Sequence, residues 1–436
     1  MTTTSADLAG ISERWSTPLY VLDQDRLRAN LDGLARSLAP DQVLYSFKTN
    51  YLPAVTSTVL ERGFGVDVVS GYELRAALRA GFPIDRIVFN GPVKTADELR
   101  AAVAAGVFVN IDGEPEIEIL AGLAGERPLP VGLRVFPSQD VYAGVPPPRR
   151  GTPSKFGWPI ADGDADRLVR AIGDRGTLRL TGIHCHLGSQ ITSVPALLAA
   201  LEDVIAWTAK LGDRACIEVL NLGGGFGVPG IQRIKGAVTG LSQVRAAEAD
   251  PAEQVHFDPA ALATGIRELI AAYGLDGVRV CWEPGRAVIS DAMSLLTTVT
   301  AVKRTTEGTW VLLDGGLNLI PTAGVAEWHR YEALRKDVPE ESFFLGGPLC
   351  YEGDIFSLDA RLPADIRAGD LVLVHDAGAY SVTRATSFNR PRAAVVEVSG
   401  GEPTLCWRAE TDDDIFGFHP ETRDTRADDR PDSGRH

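Results

Sequence analysis

A lysine at the end of an apolar segment is the first residue in this sequence whose type and position could do chemistry. The segment 43–47 has the pattern of a short buried strand, and Lys48 follows it directly. A buried ammonium is costly unless it is paired or deprotonated. Lys48 is therefore either a side chain that extends its charge into water, or a desolvated neutral amine able to form a Schiff base. Taken alone, its position favours the first interpretation.

A glycine-rich segment could bind a phosphate. Gly223, Gly224 and Gly225 follow a predicted strand, and the exposed N–H groups of such a loop suit an anion. Glycine loops also form plain tight turns. The segment does not match the dinucleotide-binding fingerprint, because no acidic ribose partner stands at the required distance.

A histidine pair closes another predicted strand. His186 could stack on an aromatic ligand while Ser189 hydrogen-bonds a phosphate. A metal site at His184 and His186 is disfavoured, since no third ligand lies nearby in the sequence.

Three further motifs contain candidate binding groups. Glu283 and Arg286 form either a surface ion pair or a carboxylate aimed at a ring nitrogen and a guanidinium aimed at a substrate carboxylate. Cys350, in a glycine-rich segment, is by type most often a small buried hydrophobe. Tyr380 follows a clear strand and would ordinarily be a packing residue with its hydroxyl satisfied.

Eight apolar strands alternate with amphipathic helices and would position these residues. Such alternation indicates a parallel sheet covered on both faces, and eight units predict a (β/α)8 barrel; an open doubly wound sheet is the alternative. The polar candidates fall at the carboxyl ends of strands, where barrel enzymes carry their catalytic residues. The predicted strands are 43–47, 65–69, 86–89, 107–111, 131–136, 180–185, 217–222 and 278–283.

The pattern changes after the eighth strand. Strand candidates then follow one another with turns between them, which predicts a mostly antiparallel C-terminal β domain. Residues 1–16 read as a loose leader, the strand 18–22 is expected to join the β domain, and 137–157 and 228–256 read as a lid or linker and an insertion. The expected domains are an N-terminal segment 1–34, a barrel 35–288, a β domain 289–410 and a disordered tail 411–436.

Composition narrows the possible partners. The 436 residues are 44% hydrophobic and carry a formal net charge of −15, which argues against nucleic acid and anionic membranes. No signal peptide or bilayer-spanning stretch is evident. The five cysteines are odd in number and widely spaced, so a reducing cytoplasm is expected.

In this order the motifs resemble the fold-type III, pyridoxal-phosphate-dependent amino-acid decarboxylases, in particular the diaminopimelate decarboxylase branch, with ornithine and arginine decarboxylases as relatives. The resemblance runs from about Thr17 to about Val398. The matching stretches are 45–50, 154–157, 184–190, 221–227, 283–286, 347–354, 376–380 and 388–392.

The resemblance implies roles for single residues. Lys48 would carry pyridoxal 5'-phosphate as a Schiff base, His186 would stack on the ring, Glu283 would contact the pyridine nitrogen, and Asp67 would lie near the ring. Gly285 and Arg286 would complete the cofactor-binding set. The phosphate would be held by Ser189, Gly223, Gly224, Gly225 and Tyr380.

The resemblance also implies a shared site. Lys48, His186 and Cys350 would be catalytic, with Cys350 or a water that it positions protonating the product. In the family this cysteine reaches into the site of the other subunit, so a homodimer is expected. The substrate would contact Arg286, Cys350, Tyr351, Glu352 and Tyr380.

One stretch departs from the diaminopimelate decarboxylase pattern. In that branch an Asp-x-Gly-Met-Asn stretch precedes an Arg-Pro-Ala-Leu-Tyr run that grips the distal carboxylate. Here 314–318 precedes 319–325, and with one residue deleted Pro321 replaces the arginine and Val325 the tyrosine. We therefore expect a substrate other than meso-diaminopimelate, from a specialised biosynthetic pathway and in modified or carrier-bound form. A replacement grip could come from Arg330, Arg149 or Arg150.

Other functions stay open at this point. They are a true meso-diaminopimelate decarboxylase that makes L-lysine with a rearranged clamp, a racemase of the same fold, a non-catalytic pyridoxal-phosphate carrier, and a nucleotide-binding protein with a glycine loop. The second domain, with its Cys350 and Tyr380 motifs, argues against the racemase, and the presence of that domain with Cys350 argues against the carrier.

Overall fold

The computed structural model describes residues 4–138, 154–233, 257–323, 327–335 and 338–417. Within them the chain forms a parallel barrel followed by a mixed β sheet, to which one N-terminal strand also belongs. Most of the long loop 137–157 and of the insertion 228–256 lies outside the described residues, as do Arg149, Arg150 and Val325.

The (β/α)8 barrel is confirmed. Its eight parallel strands close where β5 pairs with β6, with Val109 opposite Val131, which excludes the open sheet. Each predicted strand is present within a few residues, because near-continuous apolar runs suit strands buried on both faces. The barrel strands are β2 (Gln42–Ser46), β3 (Gly65–Val68), β4 (Ile87–Phe89), β5 (Phe108–Ile111), β6 (Leu129–Phe136), β8 (Leu178–His184), β9 (Val219–Asn221) and β11 (Arg279–Trp282).

Helices cover the outside of the barrel and begin at the expected caps. Ser193 caps the helix Val194–Ala209 by accepting a hydrogen bond from the N–H of Ala196, and a proline occupies its first turn. The α-helices are Ser5–Trp15, Gln24–Leu38, Pro53–Glu61, Gly71–Arg79, Ala96–Ala105, Glu114–Leu123, Asp164–Gly173, Val194–Ala209, Pro259–Ala272, Arg286–Ile289 and Asp412–Phe416.

The β domain is a nine-stranded sheet in which most pairs are antiparallel. The N-terminal strand β1 (Leu19–Asp23) lies within it, antiparallel to β12 and parallel to β19. The sequence prediction did not include β15, β16 and β17. The other members of the sheet are β12 (Met293–Thr305), β13 (Gly308–Leu313), β15 (Tyr331–Ala333), β16 (Glu340–Gly346), β17 (Ile355–Pro363), β18 (Leu371–Val374), β19 (Ala394–Ser399) and β20 (Glu402–Trp407).

Both ends of the described chain are more ordered than the sequence suggests. The expected loose leader is wrong for Ser5–Trp15, a helix that Thr4 and Asp7 cap reciprocally and that buries Leu8 and Ile11 against the β domain. The expected tail begins with the helix Asp412–Phe416, capped by Thr411. In both places a Thr-x-x-Asp pattern favours helix initiation, a local signal that average composition hides.

Three short strands lie beside the barrel. β7 (Trp158–Pro159) pairs with β6, and β10 (Gln232–Arg233) pairs antiparallel with β14 (Glu327–Trp328). The second pair joins the start of the 228–256 insertion to the segment that follows Pro321. Among the described residues, no helix combines the length and the apolar character needed to cross a membrane.

Candidate active site

Lys48 lies at the barrel mouth, paired with a buried carboxylate. It sits in a 3-10 turn (Phe47–Thr49) directly after β2. Its Nζ donates to Asp67 Oδ2 at 2.6 Å and to Ser46 Oγ at 2.7 Å. The Asp67 side chain is fully buried, whereas that of Lys48 keeps 35% exposure. Because the Lys48 side chain stays partly exposed while Asp67 is buried, the amine can be reached from the barrel mouth.

The electrostatics of this pair correct one sequence expectation. Burial lowers the pKa of Lys48, but the charge of Asp67, together with that of Glu283, outweighs this effect, and the pKa is raised. In this state Lys48 is an ammonium ion, not the neutral amine considered from sequence. Asp67 is held in turn by Asn90, whose Nδ2 donates to Oδ1 at 2.5 Å.

Glu283 ends β11 as a buried carboxylate with three donors. Its Oε1 accepts from Asn90 Nδ2 at 2.7 Å and from Asn221 Nδ2 at 2.6 Å, and its Oε2 lies 3.2 Å from His184 Nε2. Burial would raise the pKa of Glu283, but His184, Lys48 and the hydrogen bond to His184 lower it overall. The group is therefore an anion at neutral pH.

His186 is a neutral ring. Burial lowers its pKa to about 3, with further contributions from the charges of Lys48 and Arg134. Its Nδ1 accepts the N–H of Gly224 at 3.2 Å, which places the ring proton on Nε2. An uncharged imidazole fixed by a backbone amide is suited to stacking on a planar ligand. His184 instead faces Glu283, so the two histidines do not share a ligand position.

The glycine loop fits only residues without a side chain. A Cβ on Gly224 would lie 2.0 Å from the carbonyl oxygen of Glu283, and one on Gly225 would lie 2.2 Å from that of Gly188. Gly223 and Gly224 donate their N–H groups to Asn221 Oδ1 and His186 Nδ1. Two of the three amides are thus already bonded, which qualifies the expectation that all three face a phosphate.

Arg286 follows Glu283 and is committed to a second carboxylate. Its Nη2 lies 2.5 Å from Glu327 Oε1 and its Nη1 lies 3.2 Å from Glu327 Oε2. Its Nε donates to Ser189 Oγ at 3.4 Å, and its guanidinium carbon lies 5.4 Å from the centre of the Tyr380 ring. Ser189, Arg286 and Tyr380 are therefore brought together, as the sequence predicts, but Glu327 is an unexpected partner.

Two backbone contacts attach Arg286 and Tyr380 to the lysine segment. A Cβ on Gly285 would lie 2.1 Å from Thr49 Oγ1. Tyr380 donates its N–H to the carbonyl of Thr49 at 2.9 Å and has a φ of 61°, a left-handed conformation that is rare for a tyrosine. Strain of this kind concentrates at functional sites.

The loop that contains Cys350, Tyr351 and Glu352 lies on the surface of the β domain. All three residues are exposed. Asp354 anchors the loop by accepting the N–H groups of Leu317 at 2.7 Å and Leu349 at 2.8 Å. Within the described part of the chain, no hydrogen bond or ion pair joins this loop to Lys48, His186 or Glu283.

The proposed replacement grip finds no support at Arg330. Its guanidinium pairs with Glu332 and lies 2.9 Å from His375 Nδ1, and 61% of its side chain is exposed. Arg149 and Arg150 lie outside the described residues. Pro321 is half-buried, next to the buried Thr322.

Sequence reasoning missed three contributors to the site. Asn221 and His184 bind Glu283, and Glu327 binds Arg286. The first two had a usable signal, because each is a polar residue at the carboxyl end of a barrel strand. Glu327 had none, since its partner stands 41 positions earlier in the chain.

The residues present fit a phosphorylated aldehyde cofactor with a ring nitrogen. A lysine paired with a buried carboxylate, a neutral imidazole, an anionic Glu283 and a glycine cradle that any Cβ would fill all converge at one barrel mouth. The class is therefore a barrel protein whose mouth can hold such a cofactor.

The comparisons with known proteins agree with this class. Residues 24–290, more than half of the chain, match the family model of the pyridoxal-dependent decarboxylases, pyridoxal binding domain. The chain therefore belongs to the pyridoxal-dependent decarboxylases, and it is a carboxy-lyase that uses pyridoxal 5'-phosphate.

Similar proteins within the family share nearly the whole chain. A diaminopimelate decarboxylase of Actinosynnema pretiosum subsp. auranticum is 33% identical over 419 residues, covering 93% of this chain and 89% of that protein. One of Methanothermobacter thermautotrophicus is 31% identical, covering 94% and 93%. The crystal structure of diaminopimelate decarboxylase from M. jannaschii in complex with L-lysine has a TM-score of 0.82 at 26% identity, covering 93% of this chain and 92% of that one.

Proposed function

We propose that this enzyme decarboxylates an α-amino acid other than meso-diaminopimelate, from a specialised biosynthetic pathway and free or bound to a carrier, with Lys48 as the cofactor-binding lysine. The observation that carries the first part is the convergence of Lys48, Glu283 and His186 at the mouth of one barrel. The altered substrate rests on Pro321, which stands where the resemblance places a carboxylate-binding arginine.

Each residue near the ring has a role that follows from its charge. When bound, pyridoxal phosphate accepts the electrons released as the substrate loses its carboxylate. The anionic Glu283 would keep a proton on the ring nitrogen, and the neutral His186 would pack against the ring without adding a second positive charge. Asp67 holds the Lys48 amine in place.

The phosphate would be held by Ser189, Tyr380 and the N–H of Gly225, with Gly285 beside them, whereas Arg286 would face the substrate. The close approach of Gly285 to Thr49 brings this set beside the lysine.

We further propose a cytoplasmic homodimer with composite sites. Cys350, Tyr351 and Glu352 lie exposed on a loop that Asp354 anchors. A second subunit would insert this loop into the barrel mouth, where Cys350 or a water beside it would protonate the product carbon.

A true meso-diaminopimelate decarboxylase is the second candidate. The relatives that carry that name, at 31–33% identity over nearly full length, favour it. The two candidates share the cofactor and the chemistry and differ only in what binds the end of the substrate side chain.

An absorbance spectrum and a carbon-dioxide-release screen separate these candidates. The purified protein should show a cofactor band that borohydride fixes to the chain. An amino acid other than meso-diaminopimelate should then release carbon dioxide at the higher rate. If meso-diaminopimelate is the best substrate, the altered-substrate proposal is wrong. If the protein neither gains a band with added pyridoxal phosphate nor releases carbon dioxide, the proposed site is wrong.

A further inference from the structure

The Arg286–Glu327 pair is a buried ion pair inside the proposed substrate site. The two residues are 5% and 6% exposed, and both terminal nitrogens of the guanidinium face the two carboxylate oxygens. This two-point geometry is the strongest way in which an arginine can bind a carboxylate. The position at which Arg286 could bind a ligand carboxylate is therefore already occupied by Glu327.

We propose that Glu327 is a specificity-determining residue: by occupying Arg286 it excludes substrates with a second carboxylate at the end of the side chain. The enzyme selects α-amino acids whose side chain ends in an amine, amide, ester or thioester. This inference rests on the proposed function and names the substrate class of the same site.

Arg286 lies beside the segment that contains Lys48. Its neighbour Gly285 packs directly on Thr49, the residue after Lys48. Its own side chain reaches Ser189 and the ring of Tyr380, and Tyr380 is bonded to the backbone of Thr49. An unpaired guanidinium here would attract an anionic substrate group.

Glu327 is held in place by its backbone. It begins β14, which pairs with β10, and its own position is opposite Arg233. Its N–H donates to the carbonyl of Thr322 at 3.0 Å, and a further bridge connects it with Ala323. Because these backbone bonds and the pairing with β10 fix Glu327, its carboxylate is positioned before any substrate arrives.

A substrate carboxylate would have to compete with this arrangement. Binding Arg286 would place two carboxylates beside one cation in a dry site or would leave Glu327 buried without its partner. Both outcomes are unfavourable, because a buried charge that loses its counter-ion is not rehydrated. A neutral or cationic side-chain end meets neither obstacle.

The test compares holoenzyme variants at Glu327 with a matched control. Glu327→Gln keeps the shape of the side chain and removes its charge, and Glu327→Asp keeps the charge. Glu332→Gln removes a half-buried carboxylate five positions away that pairs with Arg330 and His375. Binding of pimelate, a dicarboxylate that cannot react, is measured by calorimetry against heptanoate, its monocarboxylate counterpart.

We expect Glu327→Gln to bind pimelate at least tenfold more tightly than wild type, with heptanoate unchanged. Glu327→Asp and Glu332→Gln should behave as wild type. The ratio of kcat/KM for meso-diaminopimelate to that for the best monocarboxylic substrate should also rise at least tenfold in Glu327→Gln. If that variant does not fold, Glu327→Ala is measured in its place.

Equal pimelate binding by folded wild type and by the charge-free variant would overturn the inference, and so would tight pimelate binding by wild type. A wild type without cofactor band or carbon-dioxide release refutes the proposed function instead. The pimelate measurement still decides the role of Glu327 in that case, because it requires only folded protein.

Discussion

The two ends of the site are built in different ways. We call Lys48, Asp67, His186 and Glu283 the cofactor end, and Arg286 with Glu327 the side-chain end. The cofactor end is supplied by the carboxyl ends of neighbouring barrel strands. At the side-chain end, Glu327 comes from β14, which among the described strands pairs with the short strand β10.

This difference in construction indicates which end of the site can change in sequence without disturbing the barrel, and which cannot. Parallel strands share one hydrogen-bonded register, so a shift in β2 or β11 would move several cofactor-end groups together. A two-residue strand pair outside the barrel can change without disturbing that register. The same fold can therefore keep its chemistry while its side-chain end accepts a different substrate.

The largest expected effect is at Lys48. Lys48→Ala should lower kcat/KM by at least ~10³-fold, the scale of losing a group that acts directly in the reaction. Borohydride should no longer fix the cofactor to the chain. Lys210→Ala, on the exposed end of a helix, is the control and should keep both properties. Normal fixation in Lys48→Ala would show that another lysine holds the cofactor.

Glu283→Gln should weaken catalysis next most strongly. The amide keeps the shape but not the negative charge, so kcat should fall by ~10²-fold, the scale of one preorganised electrostatic partner. Because the pKa of Glu283 is lowered, the wild-type carboxylate should stay ionised down to acidic pH. A kcat that is unchanged in the variant would remove Glu283 from the cofactor end.

Gly230→Ala should affect the side-chain end and spare the cofactor end. A Cβ at this position would lie 2.2 Å from both carboxylate oxygens of Asp376, and relieving such a clash costs about 1–3 kcal/mol. Displacement of 228–233 would shift β10 and with it β14. We expect an altered preference among substrates with an unchanged cofactor band, and Gly33→Ala, where the added Cβ meets nothing, should match wild type. If the variant lost the cofactor band together with its substrate preference, the two ends would not be independent.

The smallest effect concerns stability and pH at Asp376. Burial, with help from the charge of Asp291, raises the pKa of Asp376 to about 6 against the opposing charges of Arg330, Arg286 and Arg26. The folded state therefore binds this proton more tightly than the unfolded state, so stability is lost as pH rises from about 4 through 6.

Because asparagine does not titrate, Asp376→Asn should remove the loss of folding stability with rising pH. Asparagine also tolerates the left-handed φ of 58° found here. Relative to wild type the variant should gain about 1–3 kcal/mol between pH 4 and pH 7, read as a melting-temperature difference that grows with pH. A difference that is constant with pH would contradict this account.

Local signals were enough to predict much of the molecule. Apolar runs gave the eight barrel strands, and the polar residues after them gave Lys48 and Glu283, since side chains at strand ends are constrained by the strand itself. The prediction was incomplete where a contact joins distant segments. Asn221 and His184 both bind Glu283, and their strands lie far apart in the chain.

The sequence by itself determined the order of strands and helices, the motifs and the family to which they belong, because periodicity and turn chemistry are local. Only the tertiary structure decided the charge of Lys48 and the partner of Arg286. Asp67 is 19 positions from Lys48 and Glu327 is 41 from Arg286. The pKa of an amine depends on which charges the fold brings within a few ångströms, and so does whether a guanidinium is already paired. No local sequence pattern carries that information.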